Sequence, residues 1–228
     1  FTSTSGTLDL KEDFIHTSGT FAHNNGTVKF SGASGIPQEI AGSSTTNFND
    51  ILVTNVSSTP GVRVQSNKNL QGVLTLGSNV VFDADGSTNS SVFTLISSAD
   101  NPTSDAAIGP LPSGAIVTGR VTVQRYMARE GNIYRYISSP LTNATVADLQ
   151  NEMSVTSLYY YNEKVITDLN KDKKIDLNDG YIKFSNGATF HPGRGYALKV
   201  YGSATLWDLS GTINAGNFTP VTLPVFYT

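Results

Sequence analysis

The chain of 228 residues contains no cysteine, so it has neither a disulfide framework nor a thiolate-ligated metal site to stabilise it. Charge is scarce as well: Asp, Glu, Lys and Arg make up 14% of residues, against roughly 25% in an average soluble domain. With 15 basic and 18 acidic residues the net charge is -3, which gives no global attraction to nucleic acid or to an anionic lipid surface. No apolar run approaches the ~18 residues of a membrane span, and no charged-then-apolar leader opens the chain. Beginning at Phe1 and stopping at Thr228 within an apolar run, the chain is expected to be a segment of a longer polypeptide, whose other domains are its expected partners.

Gly (21 residues), Ser, Thr and Asn take the place of charge. Exposed helix faces favour Ala, Leu, Glu, Lys and Arg, whereas Thr, Ser, Asn and Val suit turns and pleated surfaces. An all-β fold follows. The length exceeds the usual single compact core and favours two domains.

From residue 17 to about 97, apolar pairs recur: Val28/Phe30, Ile51/Val53, Val62/Val64, Leu74/Leu76, Val80/Phe82 and Phe93/Leu95, with Ile40 filling the one gap. Within each pair the spacing is two, the period of a strand with one buried face, and turn signals such as Asn24-Asn25-Gly26 and Gly77-Ser78-Asn79 separate them. An antiparallel sandwich of hairpins and a parallel β-solenoid both give this rhythm. Stacked coils place like on like, and the recurrence of inward Val or Ile with Asn, Ser and Gly at bends favours a short, right-handed β-helix-like solenoid of about two units per coil of roughly 20 residues.

The stretch Ser18-Gly-Thr-Phe-Ala-His-Asn-Asn-Gly-Thr-Val-Lys-Phe-Ser-Gly32 is similar to a repeat of large surface proteins of the Bacteroidetes, and the sequence from Gln38 to Asn55 and from Leu70 to Leu76 continues that pattern. Gly119-Arg-Val-Thr-Val-Gln-Arg-Tyr126, Tyr134-Arg-Tyr-Ile-Ser-Ser-Pro140 and Gly193-Arg-Gly-Tyr-Ala-Leu198 resemble the module that follows such repeats. The resemblance implies type IX secretion and a secreted or outer cell-surface location. It spans adhesins, gliding-associated proteins and accessory regions of polysaccharide-degrading enzymes, and does not select among them.

A Pro/Gly/Ser-rich stretch over 100–113 marks a junction, with the boundary placed near residue 112: a solenoid over 1–112 and a β-sandwich over 113–228. Its expected strands cover 116–126, 133–138, 157–161, 181–184, 195–201, 204–209 and 221–225. One short helix is expected from 146 to about 153, with Thr145 and Asp148 at capping-box spacing.

The sharpest local motif is Asp168-Leu-Asn170-Lys-Asp172-Lys-Lys174-Ile-Asp176-Leu-Asn-Asp179-Gly180. Calcium takes six to eight oxygens, and EF-hand-type loops supply them from positions 1, 3, 5, 7, 9 and 12. Those positions are Asp168, Asn170, Asp172, the Lys174 carbonyl, Asp176 and Asp179, with Ile175 as the apolar anchor and Asp at position 12 as in the dockerin variant. Lys173 stands where Gly normally makes the sharp turn, and no long helix flanks the loop. A structural Ca2+ clip is expected; the alternative is a solvated Asp/Lys loop tip.

Arg125, Tyr126, Arg129, Tyr134, Arg135 and Tyr136 form an Arg/Tyr cluster on two strands joined by Glu130-Gly131-Asn132, and Tyr159-Tyr160-Tyr161 and Trp207 are further aromatic features. Arg125, Tyr126, Tyr134, Tyr136, Tyr160 and Trp207 are the candidate glycan-binding residues; strand alternation equally allows them to be cross-strand pairs and core. His16, His23 and His191 have no partners at metal or triad spacing. Asp83 and Asp85, placed on one face of a strand end, are the one close carboxylate pair of the repeat half, but no acid, base and positioning set converges, so no catalytic residue is assigned. Asn55, Asn89, Asn143 and Asn217 match the glycosylation sequon. The expected role is a non-catalytic structural or adhesive module of a secreted or cell-surface protein, or alternatively a carbohydrate-binding module serving a polysaccharide-degrading enzyme.

Overall fold

The structure, a computed structural model, describes residues 1–98, 105–127, 133–150, 155, 157–162, 167–185, 187–199 and 205–215. Arg129, the Glu130-Gly131-Asn132 turn, Asn217 and the strand expected over 221–225 lie outside them. Chain order gives β1 (Thr7–Leu10) and β2 (Phe14–Ile15), then β3 (Thr27–Phe30), β4 (Gln38–Ala41) and β5 (Thr46–Phe48), then β6 (Asp50–Val53), β7 (Val62–Val64) and β8 (Lys68–Leu70). Next come β9 (Val73–Leu76), β10 (Val81–Asp83) and β11 (Phe93–Leu95), followed by β12 (Ala107–Ile108), β13 (Ile116–Thr118) and β14 (Arg120–Met127). They form a parallel β-solenoid of about four turns.

Each full coil has three strands, not two. β1-β3-β6-β9-β12 make one face, β2-β4-β7-β10-β13 the second, and β5-β8-β11-β14 the third. Thr27 pairs with Asp50, Gln38 with Val62 and Thr46 with Lys68, a step of 22 to 24 residues per coil. Like side chains therefore stack: Val28, Ile51 and Leu74 form one inward column, and Phe48, Leu70, Leu95 and Val123 another. All seven are buried. The first coil ends on rings, with Phe14 and Phe21 packed on buried Phe48 at centroid distances of 5.1 and 5.7 Å.

Two inward columns carry polar residues. Gln38 donates to Leu10 O and Glu12 O and accepts from the Gly32 N–H. Lys68, fully buried, donates through Nζ to Gly42 O, Ser44 O, Asn67 O and Ser66 Oγ at 2.5 to 3.2 Å. A side chain of this length can carry its ammonium from the inward column to the corner, where chain reversal leaves carbonyls without ladder partners.

Parallel pairing continues past residue 112: Val81, Phe82 and Asp83 pair with Ile116, Val117 and Thr118, and Phe93 and Leu95 with Val121 and Val123. The first strand expected of the sandwich, over 116–126, is thus two solenoid strands, β13 and β14. β15 (Tyr134–Ile137), β16 (Leu141–Thr142), α1 (Val146–Gln150), β17 (Leu158–Tyr161), β18 (Tyr181–Lys183), β19 (Tyr196–Lys199) and β20 (Thr205–Ile213) complete the described elements. β20 runs antiparallel to β14, with Arg120 opposite Thr212 and Met127 opposite Thr205, and β16 pairs on its other side. In this way the third solenoid face extends into the C-terminal half. β15-β19-β17-β18 form a separate four-stranded antiparallel sheet. α1 begins where the capping spacing predicts, the Asp148 carboxylate accepting from the Thr145 N–H at 2.7 Å and its hydroxyl at 3.0 Å. No described helix is long and apolar enough to cross a membrane.

Candidate functional site

The four-stranded sheet has two unlike faces because its side chains alternate. Leu158, Tyr196 and Leu198 are buried on one side, with Ile137, Tyr160 and Phe184 packed against the same core. Register puts Tyr134 opposite Lys199, Tyr136 opposite Ala197, Ala197 opposite Tyr159, Tyr159 opposite Lys183 and Tyr161 opposite Tyr181 on the other side. That face carries five tyrosines and two lysines around one alanine.

Ala197 is the reason the face is concave. Its methyl group is the floor of a groove of about 350 Å³ whose walls are Tyr134, Tyr136, Tyr159 and Tyr181. Tyr136 is 76% exposed, Tyr134 50% and Tyr181 40%. The rings meet edge to face, Tyr134 with Tyr159 at 6.4 Å and Tyr161 with Tyr181 at 5.1 Å, the geometry the ring quadrupole favours. The Tyr136 hydroxyl, as hydrogen-bonding neighbour and then as a like charge, raises the pKa of Tyr181. The Lys199 ammonium stands 5.8 Å from the Tyr134 centroid. Gly180 is needed beside this cluster, since a Cβ there would lie 2.4 Å from the Tyr161 ring.

Of the six expected glycan-binding residues, the groove brings together Tyr134 and Tyr136. Tyr160 points to the opposite face, against Phe184 and beneath the Arg194 guanidinium at 4.6 Å. Trp207 is buried in β20, paired across from Arg125. Arg125 donates to Gln124 O and lies 3.9 Å from Asp105, and the Tyr126 N–H donates to Ser97 Oγ. Tyr159 and Tyr181 are the wall residues that sequence reasoning did not select. Alternation within Tyr159-Tyr160-Tyr161 announces that the outer two share a face, but not which face is wet.

The loop from Asp168 to Asp179 is held by its own backbone. Asp168 accepts from the Asp172 and Lys173 N–H groups, Asp172 from Lys174, and Asp176 from Asn178. Buried Asp179 accepts from Asp176, Asn170 and Leu169, and these bonds hold its carboxyl below the usual range. Lys173 adopts φ +72° at the sharp-turn position. Ile175, the expected apolar anchor, is 63% exposed. Among the described residues no group of three or more His, Asp or Glu side chains is gathered as a metal site.

Asp83 and Asp85 do not share a face. Asp83 binds Arg63 Nε at 3.1 Å, while buried Asp85 accepts from the Arg120 N–H at 2.8 Å. The histidines are likewise engaged with their surroundings: His16 with Thr46 Oγ1 and Gly19 O, His23 with the Asn25 N–H, and the His191 backbone with the Tyr196 hydroxyl. Asn55 is buried and donates to Gly61 O, whereas Asn89 and Asn143 are exposed. Compared with known proteins, the chain matches no family model, no curated protein and no solved structure.

Proposed function

We propose that the chain is a non-catalytic adhesive module of a secreted or cell-surface protein, in which the solenoid is a stiff spacer and the tyrosine groove holds a glycan. One observation carries this reading: Tyr134, Tyr136 and Tyr181 stand exposed around an alanine floor on one sheet face. Exposed aromatic patches of this kind mark binding surfaces. A tyrosine offers a flat apolar ring with a hydroxyl at its edge, which matches a pyranose with a C–H face and a hydroxyl rim. A carbohydrate-binding module serving a polysaccharide-degrading enzyme would use the same groove, and the two differ in the neighbouring domains of the parent.

Tyr136→Ala is expected to weaken retention on the bound polysaccharide by about tenfold, the scale of one aromatic stacking contact. Its melting curve should match the wild type, because the ring is mostly in solvent. Affinity electrophoresis across a panel of soluble and insoluble polysaccharides measures this. Wild-type protein that migrates freely through all of them would defeat the glycan reading.

A second, separate proposal is a structural calcium ion in the Asp168–Asp179 loop. It is supported by the positive φ of Lys173, which makes the sharp turn that this loop type requires at that position. Asp168, Asn170, Asp172, Asp176, Asp179 and the Lys174 carbonyl would hold the ion. Adding a chelator should lower the wild-type melting temperature by several degrees and leave that of Asp172→Ala unchanged. Identical wild-type curves with and without chelator would rule the ion out.

A further inference from the structure

We infer that Asp179 is the positioning residue of the tyrosine groove: its buried carboxylate closes the base of the acidic loop, fixes the start of β18 and so holds Tyr181 as a groove wall. That role rests on the glycan reading above and names what sets the shape of the same site. β18 has three residues and stands at the end of the sheet order β15-β19-β17-β18, so among the described residues its ladder partner is β17 alone. A short edge strand with a ladder on one side has few bonds to keep its end in place. Its first residue, Tyr181, lines the groove, pairs with Tyr161 in register, meets that ring edge to face at 5.1 Å and neighbours the Tyr136 hydroxyl.

What fixes that end lies just before it. Asp179 is 1% exposed, and both of its oxygens are engaged: Oδ1 accepts from the Leu169 and Asn170 N–H groups at 2.7 and 3.1 Å, and Oδ2 from the Asp176 N–H at 3.0 Å. The carboxylate thus ties the first residues of the loop to the 3-10 turn Leu177–Gly180 that ends it. Asp176 caps the same turn from the other side, accepting from the Asn178 N–H at 2.8 Å. Gly180 carries the position onward. Its carbonyl accepts from the Asn162 N–H at 2.8 Å, and it lies so close to the Tyr161 ring that a Cβ would fall 2.4 Å away. The Tyr181 N–H donates back to Asn178 O. None of the three bonds to the Asp179 carboxylate comes from a groove residue, so its effect on a ligand passes through Tyr181.

Asp179→Asn isolates the carboxylate: it keeps the shape but offers one acceptor oxygen where two are used, and sets an NH2 group against an N–H donor in place of the other. Near-ultraviolet tyrosine circular dichroism of the whole chain reads the Tyr161–Tyr181 pair without any ligand, with chelator present throughout so that no cation shapes the loop. Tyr181→Leu should remove part of the wild-type band, Asp179→Asn should lower it to the same level, and adding Tyr181→Leu to Asp179→Asn should remove nothing more. Asp176→Ala, which deletes the opposite cap, should give a partial loss and carries the test should Asp179→Asn fail to fold. Asp85→Ala, destabilised within the solenoid, should leave the band intact, which separates positioning from a general loss of stability. On affinity gels of xyloglucan, laminarin and pullulan, Asp179→Asn should weaken retention about tenfold, as Tyr136→Ala does. An unchanged band in Asp179→Asn and Asp176→Ala, or a full Tyr181→Leu step in the Asp179→Asn background, would overturn the positioning role. So would undiminished retention of Asp179→Asn on a gel that retards the wild type. A wild type that no gel retards, with the band lost as expected, would fault the glycan reading and still uphold the hold of Asp179 on Tyr181.

Discussion

Replacing Lys68 with methionine is expected to destabilise the solenoid by about 3 kcal/mol, although the new side chain is apolar and of similar length. Lys68 is fully buried, and its ammonium donates to Gly42 O, Ser44 O, Asn67 O and Ser66 Oγ. Two effects oppose each other. Methionine removes the cost of burying a cation, a cost seen in the lowering of the Lys68 pKa by burial. It also strands the acceptors of a coil corner, and a buried polar group without a partner costs about 1 to 3 kcal/mol. The second effect wins because only one side of the interaction is removed; a swap that also removed the acceptors would be close to neutral. The lowered pKa fixes a pH signature. Below it both folded and unfolded chains carry the proton and the burial cost is complete. As pH rises from the lowered folded value to the unfolded value near 10.5, the unfolded chain binds more protons and the wild type gains on Lys68→Met. Denaturant titrations of both proteins at neutral and alkaline pH give the comparison. Coincident midpoints at neutral pH would show that the corner carbonyls find other donors.

The second large effect is expected at Gly119, between β13 and β14. Its φ is +78°, and a Cβ built there falls 2.1 Å from Asp85 Oδ1. Alanine would incur both the left-handed backbone penalty and a collision with a buried side chain, together about 3 kcal/mol or more. Asp85 cannot retreat freely, because its other oxygen accepts from the Arg120 N–H. Asp85→Ala should itself cost about 1 to 3 kcal/mol by leaving that N–H unpaired. The two losses should not add: with the carboxylate gone, Gly119→Ala should cost only its backbone share, roughly 1 to 2 kcal/mol. A double-mutant cycle read from chemical denaturation measures the coupling. Strict additivity would mean that Gly119 and Asp85 do not meet, and would reopen the question of what holds the carboxylate.

The solenoid was legible in the inward pairs. Val28/Phe30, Ile51/Val53 and Leu74/Leu76 form one face, and parallel pairing stacks them in register. The third face was legible at β11, as Phe93/Leu95, but not at β5 and β8. Their inward positions are Thr46 and Phe48, and Lys68 and Leu70, so one of each pair is polar and the two-apart apolar signal disappears. The expected boundary near 112 has the same kind of cause. The Pro/Gly-rich stretch before Ala115 resembles a domain junction, yet β12 lies within it and pairs in parallel with β9, and β13 and β14 continue the stack.

The all-β class, the capped helix at Thr145 and the concentration of tyrosine in the C-terminal half were legible in local spacing and side-chain chemistry, whereas the apolar pairs fitted hairpins and coils alike until the parallel register separated them. Which tyrosines are available depends on how the four-stranded sheet packs. Tyr159 and Tyr160 are neighbours of the same residue type, and strand alternation sends them to opposite faces. Which face is wet depends on β19, whose Leu198 enters the core and whose Ala197 is left as a floor small enough to form a groove. A strand carries its own alternation, but the choice of buried side belongs to the strands and core packed against it.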